Sequence, residues 1–166
     1  WTRDTSVGEG IVDPNMVASG MCGTTIKWTL TKDGVLTLTG TGAMPNYDSG
    51  TTPWNAYLAD ITTVVVGDGI TTLGRVAFMD CTALTSVELP ATLTSIGDYV
   101  FYNCSALTEI TIPESVTEIG DSAFVDCISL TSITIPDGVT EIGEYAFFGC
   151  SSLKSITISE SVTRIG

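Results

Sequence analysis

From residue 61 onward, apolar positions fall into columns that return every 23 residues in one register. One column holds Ile61, Leu84, Leu107, Leu130 and Leu153, and the next holds Val64, Val87, Ile110, Ile133 and Ile156. Two residues further on come Val66, Leu89, Ile112, Ile135 and Ile158. After a turn marked by Gly67, Pro90, Pro113 and Pro136, the pattern resumes with Ile70, Leu93, Val116, Val139 and Val162, then Leu73, Ile96, Ile119, Ile142 and Ile165. Gly74, Gly97, Gly120, Gly143 and Gly166 close this half of each unit. An aliphatic residue and a phenylalanine follow, from Ala77-Phe78 to Ala146-Phe147, and a cysteine comes three residues later at Cys81, Cys104, Cys127 and Cys150. A fixed period of this size marks stacked supersecondary units, none of which buries its apolar face alone. The chain is therefore expected to form a solenoid whose core grows with copy number.

Within one unit, Ile133-Thr134-Ile135 alternates with the period of two that a strand shows when one face is buried, so both isoleucines point inward and Thr134 outward. Pro136 cannot donate to a ladder and ends the strand, and Asp137-Gly138 supplies turn chemistry before a second extended piece at 139–142. Residues 144–148 read as a single helical or 3₁₀ turn. Parallel stacking at roughly 4.8 Å makes the isoleucine, phenylalanine and cysteine columns into continuous interior ladders.

The stretch 130–150, Leu-Thr-Ser-Ile-Thr-Ile-Pro-Asp-Gly-Val-Thr-Glu-Ile-Gly-Glu-Tyr-Ala-Phe-Phe-Gly-Cys, resembles the BspA-like class of leucine-rich repeats, and the resemblance extends over residues 61–166. It implies a leucine-rich repeat solenoid, β-rich with short helical or 3₁₀ turns, in an α/β-type right-handed superhelix. It also implies a secreted or surface-anchored bacterial protein used for adhesion to host proteins, extracellular matrix or other cells. The first copy departs from the pattern, with Gly67 in the proline position and Val65 where later copies are polar, and reads as a transition unit. The last copy stops at Gly166 with its phenylalanine and cysteine still owed. The native protein is expected to continue past it, and Trp1 is expected to be a processing boundary.

Residues 22–60 lack the period and sit where an amino-terminal cap belongs. Ile26, Trp28 and Leu30 alternate with polar residues, Lys32-Asp33-Gly34 signals a turn, and Leu36 and Leu38 alternate again, which predicts a β-hairpin with Trp28 packed on the first repeat. Residues 40–48 read as loop, and 53–58 as one helical turn with Pro53 near its start. Residues 1–21 show little periodicity and predict an extended or poorly ordered arm. The expected organisation is thus an arm at 1–21, a β-rich cap at 22–60, and about five repeats at 61–166.

Charge narrows the partners. Nineteen acidic against six basic residues give a net charge of −13, which argues against phosphate backbones and anionic lipid surfaces, since both are held by Lys and Arg. No run of 18 or more apolar residues is present, so no membrane insertion is expected of this stretch. With no histidine, Ser-His and Cys-His catalytic pairs are impossible, and neither a Gly-x-Ser-x-Gly elbow nor a phosphate-cradling loop occurs. Asp48 and Asp60 remain as the nearest to a two-carboxylate hydrolase pair, but Asp in Gly-rich loops is more commonly a turn former, so no enzyme and no cofactor is expected.

The cysteines hold an interior column and are odd in number, and they are read as buried free thiols packing against the turn backbone, with Cys22 unassigned. Without a Cys-x-x-Cys pair or a histidine, no zinc site is expected. Glu114, Asp137 and Glu160 stack, as do Glu118 with Glu141, and Asp98 with Asp121 and Glu144. Like charges at that spacing in water cost only ~1 kcal/mol, so a solvated acidic face is the plain reading and Ca²⁺ between copies the alternative.

On a leucine-rich repeat the outward residues of the main strand form the concave sheet. This marks Val65, Glu88, Glu109, Thr111, Ser132, Thr134 and Thr157 as the expected binding face, or as a Ser/Thr ladder that merely suits an exposed strand. Tyr99, Tyr102, Tyr145 and Phe148 near the helical turn offer a second surface, and Tyr47 and Trp54 in the cap a platform for stacking on sugars. The functional expectation is a secreted or cell-surface adhesion module, favoured as a monomer, for an unknown extracellular protein or glycan ligand, with nucleic acid excluded. A passive structural spacer, or the ancillary glycan-binding region of a larger surface protein, is the alternative.

Overall fold

The computed structural model describes residues 13–166. In chain order the elements are β1 (Met16–Cys22), β2 (Ile26–Thr31), β3 (Val35–Gly40) and β4 (Gly42–Ala43), a 3₁₀ turn at Asn55–Tyr57, then β5 (Thr63–Val66) and β6 (Ile70–Leu73). The repeats continue with β7 (Ser86–Glu88), β8 (Ser95–Ile96), β9 (Glu118–Ile119), β10 (Ser132–Thr134), β11 (Glu141–Ile142), β12 (Ser155–Thr157) and β13 (Arg164–Ile165). Each coil contributes to two faces joined at the proline turn. One face stacks as an unbroken six-stranded sheet in the order β13-β11-β9-β8-β6-β4. The other is divided into a five-stranded sheet, β1-β2-β3-β5-β7, and a separate pair, β10-β12.

The predicted hairpin is present as β2 and β3, paired from Ile26↔Gly40 to Leu30↔Leu36. Its second strand pairs in parallel with β5, from Val35↔Thr63 to Leu38↔Val66, so the cap and the first repeat share one sheet. Of the arm expected to be extended or poorly ordered, the part from Met16 is an ordered, extended strand. Residues 16–22 form β1, which pairs antiparallel with β2 and lays Gly20 against the Trp28 indole. Residues 1–12 of that arm lie outside the described residues.

A correction concerns the third side of each coil, where a helical or 3₁₀ turn was expected. The segments 75–80, 98–103, 121–126 and 144–149 are turns, not helix. Two residues in each hold a left-handed backbone: Val76 and Asp80, Tyr99 and Asn103, Ser122 and Asp126, and Tyr145 and Gly149. That geometry turns every second N–H along the solenoid toward the next coil. Val76, Phe78 and Asp80 donate to the carbonyls of Asp98, Val100 and Tyr102, and the pattern repeats one coil later. A helix would direct these donors inside its own turn, so stacking outweighs local preference.

The apolar columns meet as predicted. Phe78, Phe101 and Phe124 are fully buried and stack with centroid separations of 5.7 and 5.3 Å, and Phe147 continues the column 5.4 Å beyond Phe124. The glycine column has a steric cause. A Cβ on Gly120 would lie 2.6 Å from the Asp98 backbone nitrogen, and one on Gly97 would lie 2.7 Å from the Leu73 carbonyl oxygen.

The candidate binding face

The outward positions of β5, β7, β10 and β12 lie on one face, as the alternation of their strands requires. Val65 pairs beside Glu88, Ser132 beside Ser155, and Thr134 beside Thr157. Glu88, Glu109, Thr111, Ser132, Thr134 and Thr157 are exposed and Val65 is half-buried. The expected five-copy ladder, however, is interrupted at the third copy. Glu109 and Thr111 belong to no strand, and among the described residues no backbone hydrogen bond engages residues 109–112.

Neighbouring coils show what is missing. Thr85 donates through both its N–H and its hydroxyl to the Thr62 carbonyl, and Thr131 does the same to the Thr108 carbonyl. No such pair joins Thr108 to Thr85 among the described residues. The sequence marks the same coil in its own columns. Copy three alone places a carboxylate, Glu109, where the other copies have Thr63, Ser86, Ser132 and Ser155, and its neighbouring strand carries Glu88. In the register of the neighbouring strands Glu109 falls beside Ser86 and Glu88 beside Thr111, so the two carboxylates stand diagonally across the gap.

Two clefts flank the interruption. One, of about 740 Å³, lies between β7 and the following coil and is lined by residues including Val87, Glu88, Leu89, Thr111 and Glu114. The other, of about 270 Å³, is lined by residues including Glu109, Ile110, Ile112, Ser132 and Thr134. Val87 and Leu89 are only half-buried, whereas Val64, Ile110 and Ile133 in the same column as Val87 are buried.

The aromatic pair proposed for sugar stacking sits elsewhere and is not free. Trp54 is 0% exposed, stacks on Phe78 at 5.8 Å, and donates its indole N–H to the Ala77 carbonyl at 2.9 Å. It is the first member of the phenylalanine column, displaced by one residue from the 23-residue register, and edge contacts with Trp28 and Tyr47 tie it to the cap. Tyr47 is half-buried, and its hydroxyl donates to Cys22 Sγ at 2.9 Å, which gives Cys22 its role. Trp54 is core and presents no face for stacking, while Tyr47 packs half-buried against that core.

The repeat cysteines are free and bond to the preceding coil: Cys104, Cys127 and Cys150 donate to the carbonyls of Phe78, Phe101 and Phe124 at 3.3, 3.1 and 3.1 Å. Burial pushes the Cys81 and Cys127 thiols up to about 12 and Cys150 up to about 11, and it raises Cys104 and Cys22 as well. These thiols stay protonated at neutral pH, and those of Cys104, Cys127 and Cys150 serve as donors. On the turn side, Tyr145 and Phe148 are 66% and 64% exposed, and Arg75 lies 5.8 Å from the half-buried Tyr99 ring. In the acidic columns, Asp98 accepts from the Asp121 N–H and Asp121 from the Glu144 N–H, so two of the stacked carboxylates serve the backbone. No group of three or more metal-ligating side chains is close enough to hold an ion among the described residues.

Comparison with known proteins agrees with this arrangement. The model of the BspA type leucine rich repeat region matches residues 56–166 in six copies, against the five traced from Ile61. The chain belongs to that family. This BspA-type chain is 26% identical to a leucine rich repeat protein of T. pallidum, with a TM-score of 0.62, covering 84% of this chain and 78% of that one. A leucine-rich repeat protein from Eubacterium ventriosum is 32% identical with a TM-score of 0.64, covering 90% of this chain and 40% of its own length. A leucine rich cell surface protein from Faecalibacterium prausnitzii gives the same identity and TM-score, with 90% and 45% covered. The BspA-type chain thus spans less than half the length of these last two relatives. No curated protein matches it significantly.

Proposed function

We propose that this chain is an extracellular binding module of a bacterial surface protein, holding a protein partner on the face built from β5, β7 and β10. The observation that carries the reading is the meeting of Glu88, Glu109, Thr111 and Thr134 around two clefts on an otherwise rigid stack. The supporting context is the repeat family and a solved relative titled a cell surface protein. The module binds and does not catalyse: it has no histidine, and its thiols are held protonated in the core. A passive spacer is the second reading, favoured by the unbroken six-stranded face, which stiffens the rod.

The two readings separate in one experiment. The chain and a variant with Glu88, Glu109, Thr111 and Thr134 changed together are tested for binding to immobilised matrix proteins, host-cell surface proteins and glycans. Binding by the parent that the variant loses supports the module. Equal binding by both rejects this face as the contact surface, and binding by neither rejects the module and leaves the spacer.

A further inference from the structure

The sheet that runs from the cap into the repeats has β1 as its outermost strand, and among the described residues β1 is paired on one side only, with β2. Soluble proteins blunt such an edge with charge, proline, a bulge or a covering segment, because its row of main-chain donors and acceptors is a template for another strand. β1 reads Met-Val-Ala-Ser-Gly-Met-Cys and holds no Lys, Arg, Asp, Glu or Pro. Its one irregularity lies at its start, between Met16 and Ala18, and leaves residues 18–22 regular. There Ala18, Gly20 and Cys22 stand opposite the buried Leu30, Trp28 and Ile26, so Ser19 and Met21 project from the outer face. Ser19 and Gly20 are exposed, and Met21 is 47% exposed.

We infer that β1 is the contact edge of a homodimer. It pairs antiparallel with β1 of a second copy about a two-fold axis at Gly20, and the two five-stranded sheets become one of ten strands. This goes beyond the binding reading above and departs from the monomer that the sequence favours. Three observations select a second copy as the occupant. A two-fold contact places the same patch on both sides and must be self-complementary. About Gly20, Ala18 of each copy meets Cys22 of the other and Ser19 meets Met21, so neither a charge nor a bulky pair opposes close approach. The charge distribution also favours this edge over any other. Residues 61–166 hold thirteen of the nineteen acidic residues and three of the six basic ones, so contacts through the repeats are repulsive, while β1 is uncharged. Finally, β1 is the strand farthest from the repeats in the order β1-β2-β3-β5-β7, so the two solenoids extend away from the axis without colliding. Two strands this short bury less than the roughly 1,200 Å² of a standard interface, which makes the dimer a weak one that forms where copies are crowded. It would carry two contact faces and gain avidity from both.

The test is sedimentation equilibrium of the chain from micromolar to millimolar concentration, at low and high ionic strength, with amide exchange measured at both ends of the concentration range. The average mass should rise toward twice that of the chain, and exchange within residues 18–22 should slow as concentration rises. High salt should strengthen the association, since it screens the repulsion between two acidic copies. Ser19→Lys, which sets like charges near the axis, should weaken it at least about tenfold. Circular dichroism of that variant verifies an unchanged fold. Ser151→Lys adds the same charge at an exposed turn far from β1 and should leave the association unchanged.

A mass that stays at one chain throughout overturns the inference, as does association that both lysine variants weaken equally. Slow exchange within residues 18–22 that does not depend on concentration would mean that the chain covers this edge itself, and also overturns it.

Discussion

The two faces of the solenoid are built from the same repeats at the same spacing, yet one is closed by hydrogen bonds along its whole length and the other is not. On the six-stranded face a threonine ladder staples every coil, with the hydroxyls of Thr94, Thr117, Thr140 and Thr163 each donating to the carbonyl of the threonine one coil earlier. The other face begins the same way at Thr85 and Thr62, breaks before Thr108, and resumes at Thr131. Periodicity therefore fixes the stack, and the coil that leaves one face open carries an aperiodic residue. Glu109 is such a residue, a carboxylate in a column of serines and a threonine.

Alkaline pH tests the core that both faces share and has the largest expected effect. Cys81 and Cys127 rise from 9.0 to about 12 on folding because burial disfavours the thiolate. A raised folded-state value means that the native chain holds its protons longer than the unfolded chain. The stability contributed by these thiols is complete below pH 9 and is lost as pH rises from about 9 toward 12. The thermal midpoint should fall across that window, and Cys127→Ala should flatten the fall. A midpoint independent of pH in that range would contradict the burial of these thiols in the core.

Next in size, Phe101→Ala, in the middle of the stacked column, should cost about 3–5 kcal/mol in urea unfolding. Gly120→Ala should cost about 1–3 kcal/mol, because the added methyl meets the Asp98 backbone and the coils must separate to admit it. Neither change distinguishes the faces, and a large effect of either on one face alone would break the picture of a common core. Thr117→Val and Thr111→Val do distinguish them. Thr117→Val removes a hydroxyl from the closed ladder and should cost about 1 kcal/mol, while Thr111→Val lies at the gap and should stay within about 0.5 kcal/mol. Equal costs would place a hydrogen bond where none is found.

Much of this fold is legible in the chain. The columns from Ile61 to Ile165, the phenylalanine stack and the cysteine donors all follow from a 23-residue register, because a residue that recurs in a solenoid meets its own kind. Three features escape that rule. Trp54 lies 24 residues before Phe78, one out of register, so it reads as a surface aromatic although it heads the buried column. The turns at 98–103 and 144–149 place Tyr99 and Tyr145 in a left-handed backbone that their side chains do not favour, which forward hydrogen bonds to the next coil enforce where one follows. β1 has mixed exposure and a glycine in its centre, so its pairing depends on Trp28 packing against Gly20 and shows no period of its own. The outward row of the binding face is legible from alternation. Its interruption is not, since the apolar columns run on through Ile110 and Ile112 without a break.

The smallest change is the sharpest. Glu109→Ser restores the residue that three other copies carry, and it should let residues 109–112 pair with their neighbours. The expected gain is under about 1 kcal/mol, accompanied by slower amide exchange at residues 109–112. Unchanged stability and unchanged exchange at residues 109–112 would separate the gap from Glu109.

Amide hydrogen exchange on the unmodified chain tests the central contrast most directly. Gly97, Thr117, Gly120 and Gly143, whose N–H groups are bonded across the closed face, should exchange slowly. Glu109, Thr111 and Ile112 should exchange far faster in the same sample. Protection of residues 109–112 equal to that of the closed face would mean that the ladder is continuous, and would contradict the account of this face as open.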